Sequence, residues 1–447
     1  MPSLDRARFI YWLAGRLLAG EWTATAVREA LKKAAADRAM RWPKLAERVF
    51  AAFAAKPAFR ELVDRLGRDP GLLRAMGRAG FPVSSGSLAR LRLPPTMEEP
   101  PPGLRAVPIP PLATPTALAQ WLAVDMAHLL WHADPTGRNR RHPPGPLRQY
   151  RYRWIPRRHG LPRLLEIPKA QLKRIQRKIL AEILGVIPVH PAAHGFCAGR
   201  SIVTHAAPHC DKKAVLKMDL ADFFASVTSA RVFQIFRTLG YPPDSARLLM
   251  GLCTTSMPAD VWDARPGARA GADFVARQLL VTRHLPQGAP TSPALANLAA
   301  NRLDRRLAGL ASAAGAVYSR YADDLAFSGD ARVARSRKRI DALISVIAYE
   351  EGFAVNHRKT RLMRAGVRQR LAGVVVNVRP NIRRDEFDRL KAILTNCARH
   401  GPASQNRQGI ADFRAHLAGK IAHVASIHPG RGQKLRRVFQ RIVWPLG

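Results

Sequence analysis

The residues best suited to chemistry here are aspartates, and the chain has few acids to spare. Its 447 residues hold 73 Lys and Arg against 32 Asp and Glu, a formal net charge of +41. Even so, Asp323 and Asp324 stand side by side in "YSRYADDLAFS" (318–328), and Asp219 precedes Asp222 in "AVLKMDLADFF" (214–224). Adjacent carboxylates among aromatic and aliphatic residues repel each other and are costly to desolvate unless a cation neutralises them. An all-oxygen set of acids suits Mg²⁺, a hard ion that keeps waters and binds through a few carboxylates and substrate phosphates. Three aspartates on two neighbouring strands could hold two such ions about 4 Å apart, one activating an attacking hydroxyl and the other stabilising a leaving pyrophosphate. That is the arrangement for in-line nucleotidyl transfer. Each acid also has a plainer reading. Asp219 suits a cap or turn, Asp222 could cap the helix that follows, and the pair suits the tip of a surface hairpin.

These residues need elements to hold them. The apolar run before Asp219 reads as a strand leading to a strand-to-helix junction. Around the acidic pair, Tyr318, Arg320 and Ala322 alternate with Tyr321 and Asp323, and strand character resumes at Leu325 to Phe327. The pattern predicts a β-hairpin with the acids at or near its turn. From 214 to 330, short strand-like runs alternate with helices, which predicts an α+β domain with antiparallel strands rather than a regular βαβ repeat. Upstream, 150–200 reads as a strand pair turning at His159-Gly160, then a helix with a basic face. A helix is expected at about 115–132 with Thr114 or Thr116 as N-cap. Residues 1–80 carry apolar positions at helical spacing and read as a small basic bundle. Residues 81–116 are Pro-rich and read as a semi-rigid linker at a domain boundary. Residues 380–447 look helical and basic, and no internal repeat is visible.

The bulk numbers narrow the class. A chain of this length with 47% hydrophobic residues can build two or three cored domains. A pI near 11.5 points to a polyanionic partner, nucleic acid above all, with binding that weakens steeply in salt as counterions are released. Cys197, Cys210, Cys253 and Cys397 are scattered, which supports neither a zinc site nor a disulfide framework and suggests a reducing compartment. The N-terminal "FIYWLAGRLLAG" is interrupted by Arg16 and reads as an amphipathic helix rather than a signal peptide. With no run of about 18 apolar residues, no membrane span is expected, and a cytoplasmic protein is the simplest inference.

Set in order, the motifs resemble those of the reverse transcriptases, and more closely their bacterial retron-type branch. "YADD" resembles the signature hairpin, "KMDLADFFASV" motif A, "LPQGAPTSPALANL" (285–298) motif B, "EGFAVNHRKT" (351–360) motif D, and "HGFCAGRSI" (194–202) a fingers segment of the retron-like enzymes. The C-terminal "LKAILTNCARHGPASQNRQ" (390–408) resembles their thumb. The resemblance implies a right-hand polymerase: fingers at 117–213, palm at 214–378 and thumb at 379–447, behind the helical region 1–80, whose role it leaves unassigned, and the linker 81–116. It implies that Asp219, Asp323 and Asp324, with Leu220, bind two Mg²⁺ ions, Mn²⁺ being a substitute. Ala221, Asp222 and Phe223 would cradle a dNTP triphosphate with the Leu220 backbone. Phe224 would exclude a 2′-hydroxyl. Gln287 and Gly288 would contact nucleotide and template, Lys359 would protonate pyrophosphate, and Arg163 and Lys169 would grip the triphosphate, with Arg157, Arg158 and Lys173 as competitors for that task.

Two retron elements are partly present. Where the branch shows NAxxH, this chain has "HAAPH" (205–209), with His205 in place of Asn and His209 kept. Where it shows VTG, this chain has "LAGVVVN" (371–377), with Gly373 kept and Asn377 closing the run. The branch uses these elements to recognise its own noncoding RNA, so the resemblance implies nucleic-acid contacts at His205, His209, Gly373 and Asn377. No Cys or acid completes a metal site with the two histidines. The implied partners are an RNA template, a noncoding RNA in the retron case, the cDNA product, dNTPs and an effector protein or toxin. Antiphage defence comes with the family and not from any residue. Three alternatives stay open: a non-retron defence-associated reverse transcriptase, a group II intron-like maturase, and a silent nucleic-acid-binding protein on a polymerase scaffold. A maturase is expected to carry a splicing domain beyond the thumb, for which a chain ending at Gly447 leaves little room. A silent protein is expected to have lost a metal ligand, and all three are present.

Overall fold

The structure, a computed structural model, describes residues 4–36, 44–78, 95–157, 161–267 and 274–444. The chain forms two compact units, Met1–Thr96 and Met97–Gly447. In the first, the described helices are Leu4–Leu18, Ala24–Ala36, Leu45–Ala51, Phe59–Gly67 and Pro70–Arg78. Their apolar positions recur at 3–4 spacing, as expected, and meet in a core of Phe9, Leu13, Leu17, Leu31, Leu62 and Leu66. Arg48 grips the buried Asp69 with two hydrogen bonds of 2.7 and 2.8 Å, while Asp69 also accepts from the Leu72 amide.

The Pro-rich stretch differs from the expectation of a linker. Residues 81–94 lie outside the described residues, but from Met97 onward the stretch belongs to the second unit. Met97, Leu104, Val107, Ile109 and Leu112 pack on that unit's core. The Glu98 amide donates to the Gly240 carbonyl at 2.7 Å, and both oxygens of the Glu98 carboxylate accept from Arg237 Nη2. A 3-10 turn at Pro102–Leu104 interrupts the stretch, and the apolar residues between its prolines anchor it.

The second unit is α+β. An antiparallel hairpin, β1 (Tyr150–Ile155) and β2 (Arg163–Pro168), stands by itself; its expected turn at His159-Gly160 lies outside the described residues. The main sheet is antiparallel throughout. Its order is β4 (Val317–Tyr321), β5 (Asp324–Gly329), β3 (Ala214–Ala221), β6 (Ala354–Val355), with β7 (Arg361–Arg364) also on β3. A small hairpin, β8 (Arg370–Leu371) and β9 (Val374–Val375), follows.

Period-two alternation sorts the sheet's side chains onto two faces. Leu216, Met218 and Leu220 of β3, Leu325 and Phe327 of β5 and Tyr318 of β4 pack into the large core with Phe223, Phe236 and Leu303. Val215 and Ala326 face the other way and pack with Ala206, Leu371, Val374 and Val376. Lys217, Asp219 and Asp324 share this second face by the same alternation and the strand register. The C-terminal helices Arg384–His400, Phe413–Ile427 and Pro429–Phe439 share a core of Leu390, Leu394, Leu417, Ile421 and Leu435. No helix among the described residues is long and apolar enough to cross a membrane.

Candidate active site

Strand pairing brings the aspartates together. β3 and β5 lie in a register that sets Asp219 directly opposite Asp324. β4 and β5 are joined by a two-residue tip, since Tyr321 pairs with Asp324, leaving Ala322 and Asp323 in the turn. Two-residue hairpin tips call for left-handed backbone, and Ala322 takes φ 56°. The Asp323 carbonyl accepts from the Leu220 amide at 2.9 Å, which ties the tip to the end of β3.

Two ammonium groups reach these acids. Lys359 Nζ donates to both oxygens of Asp219 at 2.9 Å. It is placed by the turn His357–Lys359 between β6 and β7, where the Asn356 amide donates to the Asp219 carbonyl at 2.7 Å. Lys217 Nζ donates to Asp324 Oδ2 at 3.0 Å. Burial raises the Asp323 carboxyl above its ordinary range, and the charges of Asp219 and Asp324 push it the same way. Among the described residues no three acid, His or Cys side chains stand gathered as a metal cage. The donors are nonetheless hard oxygens crowded at one strand end, with a carboxyl whose burial and like-charged neighbours call for a cation. That chemistry fits a hard divalent ion.

A cleft of about 400 Å³ opens in front, and Asp219, Asp323, Lys359, Ala221 to Phe224, Arg157, Arg163 and Gln287 line it. Asp324 and Gly288 are not on its wall. Asp222 does not cap the following helix Ser229–Thr238, whose N-cap is Thr228. It opens the intervening turn instead, with φ 45° and its carbonyl accepting from the Ser226 amide. The Gln287 turn is held to β2: the Glu166 amide donates to the Gln287 carbonyl at 2.9 Å, and Glu166 Oε2 lies 2.9 Å from His284 Nε2. Burial disfavours a charged His284, but Glu166 outweighs it and raises the imidazole.

Other expected site residues lie elsewhere. Lys169, the N-cap of the helix Ala170–Ile179, is absent from the cleft, and its Nζ donates to the Gly145 and Pro146 carbonyls in the loop before β1. His205 and His209 are 0% exposed and offer no surface to RNA. They form a ladder behind the hairpin: His209 Nδ1 lies 2.6 Å from Ser328 Oγ and Nε2 2.7 Å from Ser319 Oγ, which is 2.7 Å from His205 Nδ1. Burial first, then nearby cations, pushes both rings down to about 3. Gly373 (φ 92°) and Ala372 (φ 43°) form the left-handed tip of the β8–β9 hairpin. Asn377 spends its side chain inside the fold, accepting from the Gln369 amide and donating to the Val367 carbonyl.

One set of residues escaped the sequence reading. Arg320, 0% exposed, forks onto the equally buried Asp304 at 2.8 and 2.6 Å, and Tyr318 donates to the same carboxylate. Arg320 Nη1 also donates to the Ala322 carbonyl at 3.0 Å and to Asn297 Oδ1 at 2.9 Å. The hairpin tip is therefore braced from the opposite face. The available signal was a charge in the strand alternation of 318–323 on the side of Tyr318.

The chain matches the model of the family described as "Reverse transcriptase (RNA-dependent DNA polymerase)" over residues 155–390, more than half of its length. It is 44% identical over 290 residues to the retron Mx65 reverse transcriptase of Myxococcus xanthus, covering 63% of this chain and 62% of the relative. It is 37% identical over 296 residues to the retron Mx162 reverse transcriptase of the same organism, covering 62% and 58%. It is 32% identical over 228 residues to the retron Ec86 reverse transcriptase of Escherichia coli, covering 50% and 62%. The chain thus spans about three fifths of the length of these curated relatives.

Proposed function

Because this chain belongs to the reverse transcriptase family, we propose that it is an RNA-directed DNA polymerase of the retron type. In this reading it copies a cognate noncoding RNA into cDNA and serves antiphage defence with an effector protein. The observation that carries the polymerase reading is the register that sets Asp219 against Asp324, with Asp323 at the two-residue tip above a cleft. The likeness to three retron enzymes supports the retron assignment. The departure at His205 falls in a buried ladder where Ser319 partners Nδ1 and Nε2 has no hydrogen-bond partner, so it bears on packing and leaves the retron reading standing.

Asp219, Asp323 and Asp324, with the Leu220 main chain, would hold two Mg²⁺ ions. Such ions, when bound, activate the primer hydroxyl and neutralise charge on the leaving pyrophosphate. The protein's own groups do the rest. Lys359, whose Nζ donates to both Asp219 oxygens on the cleft wall, would give a proton to the pyrophosphate oxygen. Arg163 and Arg157 on the cleft wall supply charge for the triphosphate. Ala221 to Phe223 cradle it, Gln287 and the adjoining Gly288 hold the nucleotide against the template, and Phe224 bars a 2′-hydroxyl. The unit is then a right hand, with fingers around the β1–β2 hairpin, a palm on the main sheet and a basic helical thumb from 379 that tracks the duplex by shape.

Primer extension on an RNA template with Mg²⁺ and dNTPs tests this. Incorporation is expected in the wild type and is expected to vanish in Asp323→Asn/Asp324→Asn; equal extension by the double variant would overturn the metal assignment. Sequencing the nucleic acid that co-purifies tests the retron reading: a branched RNA–DNA species supports it, and linear cDNA alone refutes it.

A further inference from the structure

Phe196 combines two features that proteins ordinarily avoid. Its side chain is 50% exposed, and its backbone takes φ 61°, the left-handed region that non-glycine residues rarely adopt. Such backbone persists where the surroundings over-determine it, and it clusters at functional sites. The surroundings here do so. A Cβ on Gly195 would lie 2.4 Å from the Ala322 amide nitrogen, so this backbone is pressed directly against the catalytic hairpin tip. Asn297 Nδ2 donates to the Gly195 carbonyl at 2.9 Å, and Arg320 holds Asn297 in turn. The His194 amide donates to the Arg320 carbonyl at 2.7 Å, which adds the segment to the edge of β4.

The result is an aromatic ring on the wall of the cleft. Phe196 and Phe224 both line it, with ring centroids 6.1 Å apart and planes tilted by 46°. Phe223, beside them, also borders the cleft but is itself buried and packs in the core. An exposed ring in a charged cleft gains when an apolar ligand surface covers it. The least polar part of a deoxynucleotide near Phe224 is the sugar edge that carries C2′. A ribose would place its 2′-hydroxyl against two rings that offer no hydrogen bond, the kind of mismatch that rejects a substrate.

We propose that Phe196 and Phe224 together form the apolar wall that receives the deoxyribose of the incoming nucleotide, making Phe196 a second determinant of sugar selection. The inference rests on the polymerase reading and on Phe224 as the sugar gate. Its test is steady-state extension by the full chain with dNTPs and NTPs, comparing Phe196→Ala, Phe196→Leu and Phe224→Ala. Phe196→Ala is expected to raise the dNTP KM about 10-fold with kcat within about twofold, and to lower discrimination against NTPs about 10-fold. Phe196→Leu, which keeps an apolar side chain, should fall between it and wild type, and it decides the matter on the same ratio if the alanine variant does not fold. If Phe224→Ala admits ribonucleotides while the Phe196 variants leave KM and discrimination unchanged, the inference fails and the gate stands. If no variant moves the ratio, gate and inference fail together; if the wild type does not extend, the polymerase reading fails first.

Discussion

The two faces of the β4–β5 hairpin carry the same pairing of acids with cations to opposite ends. On one face Arg320 and Asp304 are both 0% exposed and joined by a bidentate fork, with Tyr318 on a remaining lone pair. On the other, Asp219 and Asp324 meet single lysine ammonium groups that are 57% and 30% exposed, while Asp323 has its carboxyl raised by burial and by its neighbours. A planar guanidinium sealed from water is locked in place, and removing its partner strands a charge. A lysine on a flexible stem in partial solvent can be displaced by a stronger cation. The difference separates an acid sealed against a guanidinium from acids left with partners that a cation can replace.

The largest effect that could break this contrast concerns activity. Asp219→Asn is expected to lower extension by about 10³-fold or more, several kcal/mol of barrier, while the melting temperature holds or rises as like charges are relieved. A melting temperature that drops as for a core variant would make the acid cluster structural. Next, Asp304→Ala should cost about 3–5 kcal/mol in denaturant unfolding, because Arg320 is left buried and unpaired; a loss below about 1 kcal/mol would put both faces in one class. The double variant Arg320→Met/Asp304→Leu should recover much of that stability. Its extension should stay depressed, since the Ala322 carbonyl and Asn297 have lost their donor, and full activity in it would show that the brace does not position the tip.

A smaller effect follows pH. His205 and His209 stay neutral in the native chain down to about 3, whereas the unfolded chain takes up protons near pH 6.5. The unfolded state then binds more protons below pH 6.5, so stability is complete above that value and falls as the pH drops. The loss approaches about 1.4 kcal/mol per pH unit for each ring. Urea unfolding at pH 7.5 and 5.5 reads it, and His205→Asn/His209→Gln should flatten the slope; a slope equal to wild type would show that these rings are not the cause. Smallest of all, Lys217→Met should change stability by less than about 1 kcal/mol, as for partly exposed ion pairs, and a loss of several kcal/mol would erase the difference between the faces.

The hairpin with the acidic pair at its turn was legible in the alternation of 318–327, because period-two patterning is a local property. The strand before Asp219 was legible as an apolar run, for both of its faces are covered. Other residues misled for identifiable reasons. Met97 to Leu112 read as linker because proline dominates the composition, although the apolar residues between the prolines find a core. Lys169 shares the basic character of its neighbours, and only its carbonyl partners show that it faces away from the cleft. His205 and His209 look polar in any sequence, and their burial depends on Ser319 and Ser328, more than 100 residues away.

The sequence by itself determined which residues could do the chemistry, their order along the chain, the basic excess suited to a polyanion and the local pairing of β4 with β5. Those properties depend on residue type and short-range periodicity. Tertiary structure alone decided that Asp219 meets Lys359 across 140 positions, that Arg320 is sealed against Asp304, and that a strained Phe196 reaches the wall beside Phe224. Whether a charge is solvated, locked or held ready depends on what the rest of the chain packs around it, and burial is a property of the assembled fold.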